Sequence, residues 1–350
     1  MIMEKQGYFS WLAENTDTKW TNDSAILSQV KHAETLGAIG GTTNPPLSYE
    51  ALTTDTEFYE DDLEKISRDC TDNEFALQAM GLVVRKMADY WFALHKEKGG
   101  LYGKVRAQVG PPLRDDAEGM LEMGKTMAAW GENIMVKIPV TEAGVWVLEE
   151  LASLGIATNP TVTTSISQMI AVAEAYERGA ARAEKSGLKP AVTTIAIVMG
   201  RVQDYLEVLK KERGIDITTE DLEWAALALV KRSLEIVKAK NYKSILQPAA
   251  FRSVLHVEQI SGAPFCSTIH PKVQKMVEEA DASGLIKHEV LIDAPLDQAA
   301  VDRVSAAFPE FVLAYEPEAI KPSDFSTFGA CKMTLDSFND SGWQKIIALR

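Results

Sequence analysis

Short apolar runs alternate with amphipathic helical patterns along the whole chain, and this alternation constrains the fold more than any other feature. The clearest runs are 37–45, 104–110, 134–140, 155–161, 191–201, 244–247 and 263–269, with a weaker one inside the polar stretch 8–24. The run 191–201 is almost unbroken β-branched and apolar residues, as expected of a strand buried on both faces of a parallel sheet. Between runs the spacing turns helical. Leu77, Met80, Leu82, Val83, Met87 and Trp91 recur near a 3.6 period within 55–98, and 115–130 reads as a helix leading into the next strand. Thr218 and Asp221 stand at capping-box spacing before the helix 222–238. Repeated strand–helix–strand units build parallel α/β folds, and eight of them suit a (β/α)8 TIM barrel better than an open doubly wound sheet. No G-x-G-x-x-G follows the first strand, which speaks against a dinucleotide-binding fold. Without a Gly/Ser-rich or Pro-rich linker, residues 1–350 read as a single barrel domain.

With 350 residues, 46% of them hydrophobic, the chain can fill such a core. A formal charge of −14 argues against a nucleic-acid or acidic-membrane surface, so an anionic substrate needs a local cluster of Arg or Lys. Three widely spaced cysteines point away from a disulfide framework and toward a reducing, cytoplasmic setting. No apolar stretch reaches membrane-span length, and 1–10 holds no signal-peptide core. The five histidines show no metal spacing, and His256-Val257-Glu258 reads as ordinary helix surface. A homo-oligomer is allowed.

One lysine breaks the apolar run Ile134-Met135-Val136-Lys137-Ile138-Pro139-Val140. An ammonium there either snorkels to water or pairs with a carboxylate, or it is a desolvated amine suited to Schiff-base chemistry. An ordinary lysine, with a pKa near ~10.4, is neutral in only about one molecule in 2,500 at pH 7. The following segment, Gly155-Ile156-Ala157-Thr158-Asn159-Pro160-Thr161, is a second strand reached through a helix. Val136-Lys137-Ile138-Pro139 with Thr141, then Gly155-Ile156 with Asn159 and Thr161, resembles the core signature of the transaldolase family. Gly37 and Gly40 ahead of Thr42-Thr43-Asn44-Pro45 resemble that family's second strand. The resemblance runs from about Asp23 to Phe338 and favours the Schiff-base reading of Lys137.

The resemblance implies a transaldolase that moves a dihydroxyacetone unit between sugar phosphates, as in the pentose phosphate pathway, with no metal or organic cofactor. It further implies that Lys137 forms the imine and that a carboxylate on the first strand is the general acid/base. Asp23 is the better match and Asp17 the other; Asp23-Ser24 also suits a helix cap. Asn44 and Asn159 would hold substrate hydroxyls, and Gln108 and Thr161 a water. Arg201 and Arg252 would hold phosphate, unless Asp204 pairs with them instead. A C-terminal helix, around 325–338, would pack near the barrel mouth. Three positions depart from the family pattern. Gln108 replaces the usual glutamate, as in fructose-6-phosphate aldolases, and Ala196 and Ala250 replace serines. A lyase that releases dihydroxyacetone is therefore the alternative, followed by a catalytically silent sugar-phosphate-binding barrel.

Overall fold

The computed structural model describes residues 6–350. Eight parallel strands follow in chain order: β1 Lys19–Asn22, β2 Gly40–Thr42, β3 Lys104–Gln108, β4 Ile134–Pro139, β5 Thr158–Thr161, β6 Thr194–Ile197, β7 Ile245–Pro248 and β8 Cys266–Ile269. Six form one sheet in the order β5-β4-β3-β2-β1-β8, and β6-β7 form a second. The first strand thus pairs with the last, Lys19 to Cys266 through Asn22 to Ile269, which curls the larger sheet. Isolated parallel bridges, Thr158 to Thr193 and Thr163 to Ile197, set β6 beside β5.

The core lies between the strands and the helices outside them. Val105 and Ala107 on β3, and Val136 and Ile138 on β4, point outward into it, against helix residues such as Met120, Val147 and Leu148. Successive strand side chains face opposite ways, so Arg106, Gln108 and Lys137 point to the inner side.

Element boundaries differ from the sequence reading where local chemistry decides. The polar stretch 8–24 contains a helix, Tyr8–Asn15, and then β1. The long run 191–201 shortens to β6, because a helix, Met199–Arg213, starts within it. Gly200 permits that start: a Cβ there would lie 1.8 Å from the Ala250 carbonyl oxygen. The helix read as 115–130 is Ala117–Ala128, capped by Asp116. The helix Leu27–Thr35 is not capped by Asp23 or Ser24. Its first amide, Leu27, donates instead to Asp55 Oδ2 at 2.7 Å. The Thr218–Asp221 capping box forms as expected. No helix among the described residues is long and apolar enough to cross a membrane.

The C-terminal helix Gly329–Phe338 packs over the ends of the strands that carry the lysine and its neighbours. Cys331, Leu335 and Phe338 cluster with Val162, which directly follows β5. Arg114 and Lys332 both pair with Asp336 on this helix, at 2.7 and 2.6 Å.

Candidate active site

Register assembles the centre of the site. Gln108 on β3 is the Cα partner of Lys137 on β4, and Lys137 is the partner of Asn159 on β5. Partners on adjacent strands share a face, so the three side chains stand in one inward row, all buried. Lys137 Nζ makes no hydrogen bond or ion pair among the described residues. Burial pushes its pKa down from 10.5 to about 8; the Asp23 charge opposes this, while the Arg106 and Arg201 charges add to it.

Asp23 directly follows β1, and its amide is tied to the Ile269 carbonyl at 3.1 Å. That puts it at the same strand ends as Gln108 and Thr161. Asp17 precedes β1, is exposed, and lies at the opposite end of the strand. The two carboxylates that the sequence left open are therefore separated by the length of β1.

Several polar atoms in the row are buried without partners, an arrangement that is costly unless a ligand completes it. They include Gln108 Oε1, Asn159 Oδ1 and Thr161 Oγ1. The Asn159 amide is held from the other side: its Nδ2 donates to Gln247 Oε1 at 2.8 Å, to Thr194 Oγ1 at 2.9 Å and to the Thr194 carbonyl. Its Oδ1 is thereby fixed as an acceptor. Just past Thr161, Val162 sits at φ 57°, a left-handed conformation that a β-branched residue adopts only under constraint. Gln168 supplies part of that constraint, donating from Nε2 to the carbonyls of Val140 and Val162 at 2.7 and 3.2 Å.

Asn44 caps the helix Pro45–Thr54 immediately after β2, its Oδ1 accepting from the Leu47 amide at 2.9 Å. Its amide nitrogen makes no hydrogen bond among the described residues and is open to a ligand. Arg201 lies in the first turn of the helix Met199–Arg213, and Arg252 follows β7. They converge, but on a shared carboxylate. Arg252 grips Asp204 in a fork, 2.8 Å from Nε and 2.6 Å from Nη2, and its Nη1 donates to the Ala250 and Phe251 carbonyls. Arg201 stands 3.8 Å from the same carboxylate, beyond hydrogen-bond range, with its guanidinium against the Phe338 ring. One carboxylate against two guanidinium groups leaves a net positive site with free donors on Arg201.

Sequence reading named the strand of Arg106 but not the residue. Arg106 is buried and lies two residues before Gln108, on the same face of β3; the period-two pattern of a strand carries that signal. His256 corrects another reading. It is fully buried, with Nδ1 accepting from the Arg252 amide at 3.3 Å and a pKa pushed down to about 3 by burial. A neutral imidazole thus supports the Arg252 loop. Ala196 is buried on β6, and Ala250 adopts φ 61° beside Gly200.

A family model described as Transaldolase/Fructose-6-phosphate aldolase matches residues 21–319. Transaldolase 1 of Streptomyces avermitilis is 27% identical over 346 residues, spanning 91% of this chain and 90% of that protein. The transaldolase of Thiobacillus denitrificans is 25% identical, spanning 90% of this chain and 96% of its own. The transaldolase of Neisseria gonorrhoeae is 31% identical over 182 residues, 51% of this chain and 52% of its own.

Proposed function

The chain belongs to the transaldolase/fructose-6-phosphate aldolase family, and on that premise we propose that it transfers a dihydroxyacetone unit between sugar phosphates through an imine on Lys137. The observation that carries this reading is the buried, unpaired amine of Lys137 in one register row with Gln108 and Asn159. The neutral amine attacks the C2 carbonyl of a ketose. The carbinolamine loses water to give an iminium ion, whose positive nitrogen accepts the electron pair of the breaking C3–C4 bond. Asp23 takes the proton of the C4 hydroxyl as that bond breaks, and the aldose leaves. The three-carbon enamine then attacks an acceptor aldehyde, Asp23 returns the proton, and hydrolysis frees the lysine.

The remaining residues hold and orient. Asn159 Oδ1 and the Asn44 amide nitrogen bind hydroxyls of the three-carbon unit. Gln108 and Thr161 hold the water that enters and leaves in the carbinolamine steps; an amide orients water by hydrogen bonds but does not act as a base. Arg201 and Arg252, sharing Asp204, bind the phosphate, with Arg201 supplying the free donors. The β1–β8 pairing and the bridges beside β5 support closure of all eight strands into one (β/α)8 barrel, with 1–350 as a single domain. Three free cysteines support a reducing, cytoplasmic setting.

Gln108 favours one second reading. With an amide where transaldolases carry a carboxylate, the three-carbon unit is released as free dihydroxyacetone. A single experiment tests both. The enzyme is incubated with fructose 6-phosphate, reduced with borohydride and digested, and unreduced reactions are assayed with and without erythrose 4-phosphate. A modified peptide containing Lys137, with sedoheptulose 7-phosphate formed only when acceptor is present, is the expected result. Free dihydroxyacetone as the main product indicates the lyase, and modification of another lysine removes both readings.

A further inference from the structure

The strand starts, at the end away from the Lys137 row, enclose a cavity of about 880 Å³. Its wall includes the first residue of β1, β3, β4, β6, β7 and β8, namely Lys19, Lys104, Ile134, Thr194, Ile245 and Cys266. Five basic side chains line it, Lys19, Lys104, Arg106, Lys189 and Lys243, against two carboxylates, Asp17 and Glu132. Glu132 is already paired with Lys96 and Lys243 with Glu177, and Lys19 Nζ donates to the Ala13 and Thr16 carbonyls, so Lys104, Arg106 and Lys189 carry the cavity's unmatched charge. A concentration of positive charge in a chain of net charge −14 is opposite to what solubility alone would place there.

Arg106 is the decisive group. It lines the cavity at its inner end and is 2% exposed. Its Nη2 reaches only the Cys266 sulfur at 3.3 Å and its Nη1 only the Lys104 carbonyl at 3.4 Å; Nε has no partner. No carboxylate among the described residues pairs with it. A buried guanidinium keeps its proton, and leaving it without a counter-ion is strongly unfavourable. Lys104 stands two residues earlier on the same face of β3, its pKa lowered by burial and by the Arg106 charge. Two desolvated cations side by side form a site for a doubly charged anion.

We propose that this cavity is a second, non-catalytic binding site for a small phosphorylated molecule, whose phosphate rests on Arg106 and Lys104. Ile39, Tyr102, Ile134, Tyr176 and Phe265 offer apolar wall to the rest of the ligand. The site also reaches the Lys137 row, and this part rests on the catalytic reading. Arg106 and Gln108 are two residues apart on β3, about 6.6 Å along the strand. The charged groups facing Lys137 are Asp23 beyond β1, Arg106 on β3 and Arg201 beyond β6. The charged groups that line the cavity with Arg106 are Lys19, Lys104, Lys189, Lys243, Asp17 and Glu132, with Cys266 as the adjoining thiol. A phosphate that neutralises Arg106 removes one of the charges that disfavour protonation of Lys137, so occupancy slows imine formation near neutral pH.

The test uses the full chain carrying Arg201→Ala, which weakens phosphate binding at the catalytic site, so that the effect of Lys104→Gln reports on the second site. Inorganic phosphate is titrated calorimetrically at constant ionic strength, with chloride as control. Binding of one phosphate per chain is expected, weakened about tenfold by Lys104→Gln, the effect of losing one hydrogen bond to a charged group. Arg106→Gln should abolish it; Lys104→Gln, at the less buried of the two positions, gives the answer if that variant does not fold. No saturable binding, or binding untouched by Lys104→Gln, overturns the site. In the same background, borohydride trapping with dihydroxyacetone should slow on adding phosphate at pH 7 and not in the Lys104→Gln double variant. Trapping that ignores bound phosphate overturns the coupling. Absence of any trapping at Lys137, with phosphate still bound, counts against the catalytic reading alone.

Discussion

Replacing Lys137 by methionine should stabilise the fold while ending activity, and the size of the gain follows from the burial of the amine. In the folded chain the Lys137 pKa is about 8, against 10.5 for an ordinary lysine. The unfolded chain therefore binds this proton more tightly than the folded one. Below pH 8 both states are protonated, and the folded state carries the full cost, about 3 kcal/mol for a shift of this size. Between pH 8 and 10.5 the folded amine is neutral while the unfolded one is still charged, so wild-type stability rises with pH across that window. Above it the cost is gone. Methionine has similar length and no charge, so Lys137→Met should gain about 3 kcal/mol at pH 7, roughly 4 °C in Tm for a chain of this length. The gain should fade as pH passes from 8 to 10.5. Urea unfolding of both proteins at pH 7 and at pH 10.5 measures it. A variant no more stable than wild type at pH 7, or a gain that persists unchanged at pH 10.5, would refute the claim that burial holds this pKa down.

The same pKa sets the reaction profile: at pH 7 about one lysine in ten is neutral, so initial trapping rates should rise about tenfold from pH 6 to 7 and level off above 8. A rate still climbing at pH 10 would indicate an ordinary lysine. Asp23→Asn should lower turnover by about 10²–10⁴ while imine trapping survives; Asp17→Asn, at the other end of β1, should leave turnover unchanged, and the reverse pattern would reassign the acid/base. Arg201→Ala should weaken phosphorylated substrates by roughly 1.5–3 kcal/mol in KM, whereas Arg252→Ala should also lower Tm, because it frees Asp204 and two backbone carbonyls; equal KM effects without loss of Tm would contradict that division of roles. Gln108→Glu should restore a base beside the imine and raise the ratio of transfer to release, read as sedoheptulose 7-phosphate over free dihydroxyacetone; an unchanged ratio would remove Gln108 from that choice.

How much of this was legible in the sequence depends on the kind of signal each feature sends. Strand existence was plain where both faces are buried, because β4 must then be apolar throughout, and a single lysine stands out against Val136 and Ile138. Strand ends were less plain. The run through Ala191 to Met199 is β-branched and apolar whether it continues as strand or begins a helix, and the turn is decided by Gly200 meeting the Ala250 carbonyl, a contact between segments fifty residues apart. The first strand was weakest because β1 is only four residues long and carries Lys19, Thr21 and Asn22. The choice between Asp23 and Asp17 accordingly came from resemblance, and only the placement of β1 puts the two at opposite ends.

Charge partners lie furthest from what a sequence can state. Asp204 was visible as a neighbour of Arg201 by helical spacing, yet its strong partner is Arg252, brought to it by the fold at 2.6 Å. His256 looked like helix surface because a five-residue helix has too short a pattern to reveal its buried side. Arg106 gave the one usable clue, its even spacing from Gln108. What spacing cannot tell is whether a carboxylate waits on a neighbouring strand. None does among the described residues, and a guanidinium left in that state calls for an anion from outside the chain. The two ends of the strands thus share one feature, a cation with too few internal partners, Arg201 at one end and Arg106 at the other, and each of the two proposed anion sites rests on it.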